Sequence, residues 1–280
     1  MIGVDFTFGE HSLSDFGFVM ANPEQDENTG LGREVLKGST TLTKYEPIVY
    51  GAKYSDILNL PFLIIKDDCE NTNVRVSQDE LRELNTWLTY SHLPQQLTVS
   101  FEESSPIEYY GIFTEITPYV IDGLNGLYLT FTCTSPFAYE QNKLSFVNST
   151  SNYEKTFDCS SDENTYIYPI VKIHPDSTGV YSICNENENK TMQLKLSASY
   201  SEYIIDCKLK RIIADGNVLS MSDVEWDIDD IVDFNNVATG TVTMYWLRFT
   251  PGINPLTFNG NGTFDITCKS PIKIGGYPYD

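Results

Sequence analysis

The chain has 280 residues and a formal charge of −21, because 39 Asp and Glu residues outnumber 18 Lys and Arg residues. A protein that holds nucleic acid by its phosphates needs the opposite balance, so this composition excludes that class. Aromatic residues make up 13% of the chain and long runs of helix-forming residues are missing, which favours strands. The length suits two domains of common size.

The first residues do not form a basic segment followed by a long apolar one, and no run of about 18 apolar residues occurs. We therefore expect a protein made in the cytosol that does not span a membrane. The six cysteines show no Cys-x-x-Cys spacing, and Cys133 and Cys268 stand at apolar strand positions. This pattern predicts reduced thiols, without disulfides or zinc.

The amino-terminal part alternates apolar and polar residues over 4–8, which predicts a first strand, and a short apolar stretch follows at 16–20. Residues 21–39 show no periodicity, which predicts a long, mobile loop of the kind that often contacts partners. The continuous apolar run at 60–66 is typical of a strand buried on both faces.

One helix is predicted near residues 77–90, because Ser77 and Glu80 form a capping box in which each side chain bonds the other residue's backbone amide. The apolar residues that follow at helical spacing should lie on a sheet, with Trp87 buried. They are Leu81, Leu84, Trp87 and Leu88.

The most regular strand covers residues 126–134, in which apolar and polar side chains alternate strictly. A glycine-containing turn at 122–126 precedes it, and Pro136 ends it because proline lacks the amide that a further ladder step requires. Two more strands are predicted ahead of it, at 96–101 and 108–117.

The polar residues 140–143 have little apolar surface to bury, so they predict a boundary between domains of residues 1–139 and 144–280. The second domain shows apolar alternation between Gly, Asn and Asp turns, which indicates an antiparallel sandwich. Its clearest strands are predicted at 166–174, 180–184, 192–196 and 241–249.

The last predicted turn is Asn259-Gly-Asn-Gly262, between strands at 254–258 and 263–268. Asn-Gly is the strongest short signal of a β-hairpin, so we expect these strands to pair. The string Thr-Cys-x-Ser-Pro occurs at both 132–136 and 267–271, which either a duplication or two proline-stopped strands would explain.

No catalytic, cofactor-binding or metal-binding residue is predicted. His11, His92 and His174 have no partner at metal-ligand spacing, and no Gly-x-Ser-x-Gly, P-loop or dinucleotide motif occurs. The acidic residues 223–233 could be a calcium loop, but they lack the central Gly and terminal Glu of an EF-hand. We interpret them as a solvated connection.

Two alternatives stay open beside a non-enzymatic role. Asp227 and Asp229 could serve a glycoside hydrolase, although any acidic β-protein offers such pairs. Trp226, Tyr245 and Trp246 could stack on a sugar ring, although such aromatics are more often part of a core. A carbohydrate-binding module that acts through the second domain is the second hypothesis and a hydrolase the third.

An ordered set of segments over nearly the whole chain resembles the distal tail protein (Dit) family of siphophages, the phages with long noncontractile tails. No single segment is specific, but their order is. Leu31-Gly-Arg-Glu-Val35 stands where many members have a compact Pro-Gly-Arg-like turn. The matching segments are residues 77–88, 109–111, 129–139, 233–235, 246–254 and 259–262.

The resemblance implies a virion structural protein, not an enzyme, at the distal end of the tail. Six copies would form a ring through the β-sandwich-like first domain, in one ring or two stacked rings, with galectin-like sandwiches around the periphery. The implied partners are the tail tube protein, the tail-associated tip protein and receptor-binding or baseplate proteins. DNA would pass through the lumen without sequence-specific binding, since acidic walls repel phosphate. No cofactor is implied.

Overall fold

The computed structural model describes residues 3–21, 33–37, 49–54, 57–66, 75–101, 105–120, 123–219 and 245–273. The chain divides into two compact units, the first formed by Met1–Glu140 with Ile272–Asp280 and the second by Gln141–Pro271. Among the described residues, no helix is long and apolar enough to cross a membrane.

In the residues that the structure describes, the first unit is a β-structure with one α-helix, as predicted. Its elements are β1 (Gly3–Phe8), β2 (His11–Ser12), a 3₁₀ turn (Leu13–Phe16), β3 (Phe18–Ala21), β4 (Arg33–Lys37), β5 (Val49–Tyr54), β6 (Asn59–Lys66), α1 (Gln78–Thr89), β7 (Gln95–Phe101), β8 (Ile107–Val120) and β9 (Leu124–Cys133). The next strand, β10 (Ala138–Asn148), runs across the boundary between the units.

The antiparallel strands of the first unit follow the order β2-β1-β7-β8-β9-β6-β3. Gly111 in β8 pairs with Gln95 on one side and Cys133 on the other. A side chain there would collide with the backbone oxygen of Thr132, so this close pairing requires glycine. The sheet curls around one core, since Phe6 of β1 and Phe62 of β6 lie 5.5 Å apart although their strands are far apart in this order.

Helix α1 begins at the predicted capping box. The Ser77 hydroxyl accepts from the Glu80 amide at 3.2 Å, and the Glu80 carboxylate accepts from the Ser77 amide at 2.8 Å. Glu80 also forms an ion pair with Lys66 of β6. The contact with Lys66 has the largest effect, and together with the bond from the Ser77 amide it lowers the pKa of Glu80 to about 2. Leu84 and Leu88 are buried against the sheet, as the helical spacing predicts.

One prediction for this part of the chain is wrong. The predicted loop over residues 21–39 contains β4, which pairs with β5; its other residues, 22–32 and 38–39, lie outside the described residues. Residues 140–143, where the sequence predicts the domain boundary, lie within β10, and the chain divides between Glu140 and Gln141. Polar side chains do not prevent a backbone from pairing, and Asn142 accepts a hydrogen bond from Ser270 at 2.6 Å.

The second unit is an antiparallel sandwich, which confirms the predicted fold class. One sheet has the order β11-β18-β13-β14 and the other contains β17-β16-β15-β12-β19. The strands are β11 (Tyr153–Cys159), β12 (Ile170–Pro175), β13 (Gly179–Asn185), β14 (Lys190–Leu196), β15 (Tyr203–Asp206), β16 (Arg211–Ala214), β17 (Asn217–Leu219), β18 (Gly252–Asn259) and β19 (Gly262–Ile272).

The predicted hairpin at residues 259–262 is wrong, because the turn crosses from one sheet to the other. Strand β18 already pairs with β11 on one side and β13 on the other, while β19 pairs with β12. Gly260 has a φ of +110°, and a side chain there would strike the Tyr181 ring. The Asn-Gly pattern therefore identified the turn but not the sheet that the next strand joins.

The strand predicted at residues 241–249 is also wrong for its described part. Residues 245–249 make one isolated bridge, in which Ile167 and Phe249 exchange two backbone hydrogen bonds of 2.9 and 2.8 Å. Residues 241–244 lie outside the described residues.

Candidate interaction surfaces

Strands β4 and β5 form a two-stranded sheet of their own, which we call the arm (residues 33–37 and 49–54). Its apolar side chains are open to solvent: Val35 is 47% exposed, Leu36 39% and Tyr50 71%. A lone two-stranded hairpin is at best marginally stable in water, and exposed apolar side chains add nothing to its stability until they are covered. The arm is therefore a surface that a partner would stabilise.

The contacts that hold the arm are few among the described residues. Glu34 and Lys53 form an ion pair of 3.0 Å across its two strands, but both are well exposed and such pairs contribute little. At the other end of β5, the Tyr54 ring meets the Phe137 ring edge-on at 4.7 Å. This aromatic contact anchors the base of the arm, while Tyr50 lies four residues away.

A second surface is an open groove of about 1090 Å³ between α1 and the corner of β1 and β2. Phe8, Phe16 and Trp87 supply its apolar lining. Trp87 stacks on Phe16 at 4.6 Å, and its indole N–H donates to the Phe8 carbonyl at 2.9 Å. The prediction that Trp87 is buried is thus wrong in degree, since its ring packs against the core but also lines the groove.

The rim of the groove carries more acidic than basic groups. The acidic residues there are Glu10, Asp79 and Glu83, and the basic ones are His11 and Arg82. An occupant with an apolar face and a basic edge would fit these charges best.

In the second unit, Glu188 is the centre of a polar cluster. It accepts from the Tyr245 hydroxyl at 2.8 Å and from Arg248 Nε at 2.9 Å, and the Arg248 guanidinium lies 3.7 Å from the centre of the Tyr166 ring. Burial opposes ionisation of Glu188, but the bonds from Tyr245 and Arg248 outweigh it and lower its pKa. Burial first, and then the bond to Glu188, raises the pKa of Tyr245.

This cluster bears on the alternative of a sugar-binding platform. The Tyr245 hydroxyl is bonded to Glu188, and the rings of Tyr245 and Trp246 pack against the core of the unit. Both side chains thus contribute to the fold. Trp226 and the pair Asp227 and Asp229 lie outside the described residues.

The histidines occupy three separate surroundings. His11 meets the Phe16 ring edge-on at 5.9 Å, and His92 is exposed. His174 Nδ1 lies 3.0 Å from the Ser201 carbonyl oxygen, and its Nε2 lies 3.7 Å from Glu202 and 4.0 Å from Asp265. Within the described ranges, no three His, Cys, Asp or Glu side chains are placed to hold a metal, and the acidic residues 223–233 are not among them.

The sequence predicted a partner-contacting loop over the first strand of the arm, but it did not predict the two paired strands or the groove. Two short β-prone segments, Arg33–Lys37 and Val49–Tyr54, were a usable signal for the arm. The groove had none, because it forms where one side of α1 meets the turn between β1 and β2.

Family models cover almost the whole chain in two parts. Residues 1–135 match a model described as the phage tail protein N-terminal domain, and residues 137–268 match the phage tail C-terminal domain. No curated protein sequence matches significantly.

Several solved structures share the fold. The chain is similar to the Dit protein (gp 19.1) of phage SPP1, described as a paradigm of the hub adsorption apparatus in phages that infect Gram-positive bacteria, with a TM-score of 0.57, 14% identity, and coverage of 95% of this chain and 98% of that one. It is also similar to a chain of the phage P2 baseplate activated with Ca, with a TM-score of 0.56, 9% identity and coverage of 98% and 99%. A chain of the phage p2 baseplate activated with Sr is similar as well, with a TM-score of 0.55, 9% identity, and coverage of 96% of this chain and 99% of that one.

Proposed function

The chain belongs to the family of phage tail proteins defined by those N- and C-terminal domains, and from this premise we propose that it is the structural hub at the distal end of the tail. The hub joins the tail tube to the tip or baseplate and its receptor-binding proteins, and it has no enzymatic activity. The fold supports this proposal, since it is shared over almost the full length with a phage hub protein and a baseplate chain.

The arm is the observation that carries the proposal. A ring former gains by covering the exposed Val35, Leu36 and Tyr50 of this separate sheet with the neighbouring copy, whereas a protein that works alone leaves them in water. We place the ring-forming contacts in residues 1–139, with six copies in one ring or in two stacked rings. Residues 144–280 are the peripheral, galectin-like sandwich.

The charge of the chain suits this role. At −21, the protein repels the phosphates of DNA that passes through a ring, so DNA moves through without being held. The proposed site of action is the virion tail, after synthesis in the host cytoplasm, with no membrane insertion.

Native mass spectrometry of the full chain tests the proposal. We expect six or twelve times the 31.7-kDa protomer at micromolar concentration. Tyr50→Asp should convert the ring to monomers that keep their β-structure by circular dichroism, because Tyr50 is 71% exposed and a carboxylate cannot be buried cheaply in an interface. Val218→Asp is the matched control, since Val218 is 66% exposed in the second unit and its replacement should leave the ring intact.

Two results would contradict the proposal at different levels. A wild-type monomer at every concentration, together with binding on a glycan array, would favour the carbohydrate-binding alternative. A ring that survives Tyr50→Asp but not Val218→Asp would move the assembly contacts from the arm to the second unit.

A further inference from the structure

Cys159 and Cys268 come together inside the second unit although 108 residues separate them in the chain. Cys159 is the last residue of β11 in one sheet, and Cys268 lies on β19 in the other sheet. Their side chains are 2% and 3% exposed. The sulfurs of both cysteines lie close to the same Ser270 hydroxyl oxygen, at 3.4 Å and 3.7 Å, so this is a buried thiol pair between the two layers of the sandwich.

The backbones are also close at this point. Three residues beyond each cysteine, the Asp162 amide donates to the Pro271 carbonyl at 3.0 Å. Asn142 ties the same segments together, since its side-chain oxygen accepts from Ser160 Oγ at 3.1 Å and from Ser270 Oγ at 2.6 Å. Facing sheets usually lie about 10 Å apart, whereas a disulfide needs Cα atoms about 4.4–6.8 Å apart. Direct bonds between the two segments bring the layers closer than usual here.

The surroundings favour a thiolate on one member of the pair. Ser270 Oγ lies 3.4 Å from the sulfur of Cys159 and 3.7 Å from that of Cys268. The bond from Cys268 lowers the pKa of Cys159, while the same bond raises that of Cys268. By contrast, burial alone raises the pKa of Cys133 to about 12. Cys159 therefore has the more nucleophilic sulfur at neutral pH.

We propose that Cys159 and Cys268 are a redox pair that closes into a disulfide between the two sheets of the second unit. In the presence of a small-molecule disulfide such as oxidised glutathione, the Cys159 thiolate attacks one sulfur and expels a glutathione thiolate. The Cys268 sulfur then attacks Cys159 and expels the second glutathione. Overall, the two protein thiols lose two electrons and two protons, and one glutathione disulfide becomes two glutathione thiols.

A reversible disulfide suits a protein that is made in a reducing cytosol and acts in oxidising surroundings. Disulfides are reduced in the cytosol but persist in oxidising surroundings, and a phage tail acts after release from the cell that made it. The bond would close a loop of over a hundred residues and so stabilise the second unit by restricting its unfolded state. This proposal does not depend on ring formation.

The test compares the full chain after incubation with oxidised glutathione and with dithiothreitol. One sample is oxidised while folded and another is refolded in a glutathione redox buffer, so that burial of the thiols cannot block the reaction. After alkylation and digestion without reductant, mass spectrometry should find the peptides of Cys159 and Cys268 joined. The melting temperature of the oxidised protein should exceed that of the reduced protein by about 5 °C or more.

Variants make the result specific. Cys159→Ser and Cys268→Ser should each abolish the difference in melting temperature between oxidised and reduced protein. Cys207→Ser should retain it, because Cys207 is equally buried but accepts from the backbone of Leu247. Each variant is compared with itself, as the melting temperature of its oxidised form minus that of its reduced form. A general loss of stability caused by the substitution lowers both values and therefore does not affect the difference. Separate peptides in both samples, a bond to another cysteine, or loss of the difference in Cys207→Ser would overturn the proposal.

Discussion

The two units hold their chain in different ways. The first unit packs its strands around aromatic side chains, with Phe113 in ring contact with Phe6, Phe8, Phe62 and Phe131. The second also has an apolar core, but six of the seven buried polar side chains in the described residues belong to it.

The buried amides of the second unit act at places where the backbone leaves the ladder. Asn254 bonds to the backbone of Thr250 and Gly252, and Asn148 donates to the Gly260 carbonyl in the crossing turn. A chain that changes sheets has backbone groups that no neighbouring strand can satisfy, and a short polar side chain supplies the missing partner. The first unit thus depends on packing, and the second depends on packing together with these hydrogen bonds.

The largest expected effect tests packing in the first unit. Phe131→Ala removes a fully buried ring that contacts Phe8 and Phe113, and should lower the free energy of unfolding by about 3–5 kcal/mol. Differential scanning calorimetry should show the transition of the first unit moving to lower temperature while the other stays. Tyr128→Ala, on the exposed face of the same strand, is the control and should cost much less. A uniform shift of both transitions would show that the units unfold as one.

A smaller effect is expected from a buried amide in the second unit. Asn254→Ala leaves the amide of Thr250 and the carbonyls of Thr250 and Gly252 without that side chain, at a cost of about 2–3 kcal/mol. Urea unfolding of the variant should show the loss, and the exposed Asn217→Ala should not. If Asn254→Ala proved neutral, the second unit would depend on packing alone and the contrast between the units would disappear.

The smallest expected effect comes from the ion pair between Glu80 and Lys66, and it depends on pH. The ion pair with Lys66 first, and then the Ser77 amide, lower the pKa of Glu80 to about 2 from a usual 4.5. Because the folded-state pKa is lowered, the stabilisation is present above about pH 4.5 and is lost as the pH falls towards 2. Partial exposure reduces it, so Glu80→Gln should cost about 1–2 kcal/mol at pH 7.

Denaturant unfolding at several values between pH 7 and pH 3 would measure the difference in free energy of unfolding between the wild type and Glu80→Gln. This difference should become smaller as the pH falls. Glu83→Gln, on the exposed face of α1, should show no such trend. A loss that is constant across the range would assign the effect to shape rather than charge.

The sequence could predict features that depend on residues close together in the chain. Alternation in residues 126–134 and the capping box at Ser77 depend on neighbours in the chain, and both predictions are confirmed. The turn at Asn259 was visible too, but the sheet joined by β19 depends on β11 and β13 already flanking β18. Short-range patterns contain no information about which strand edges are already occupied.

The same limit applies to the candidate surfaces. The exposure of Tyr50 and the groove beside Trp87 arise from the absence or incompleteness of packing, which no periodicity records. The proximity of Cys159 and Cys268 arises where strands of two different sheets meet. The polar side chains of residues 140–143 indicated a domain boundary, but they gave no sign that the backbone there continues as strand β10.

The pairing of β1 with β7 has a consequence for synthesis on the ribosome. Phe6 pairs with Val99, so the first strand is made about ninety residues before its partner. At about 5–20 residues per second, Phe6 and Phe8 wait roughly 5–20 s without their final strand partner. The meander of β7, β8 and β9, by contrast, pairs segments that emerge in immediate succession and can form first. Chaperones that bind exposed aromatic segments would therefore meet the nascent chain first at its beginning.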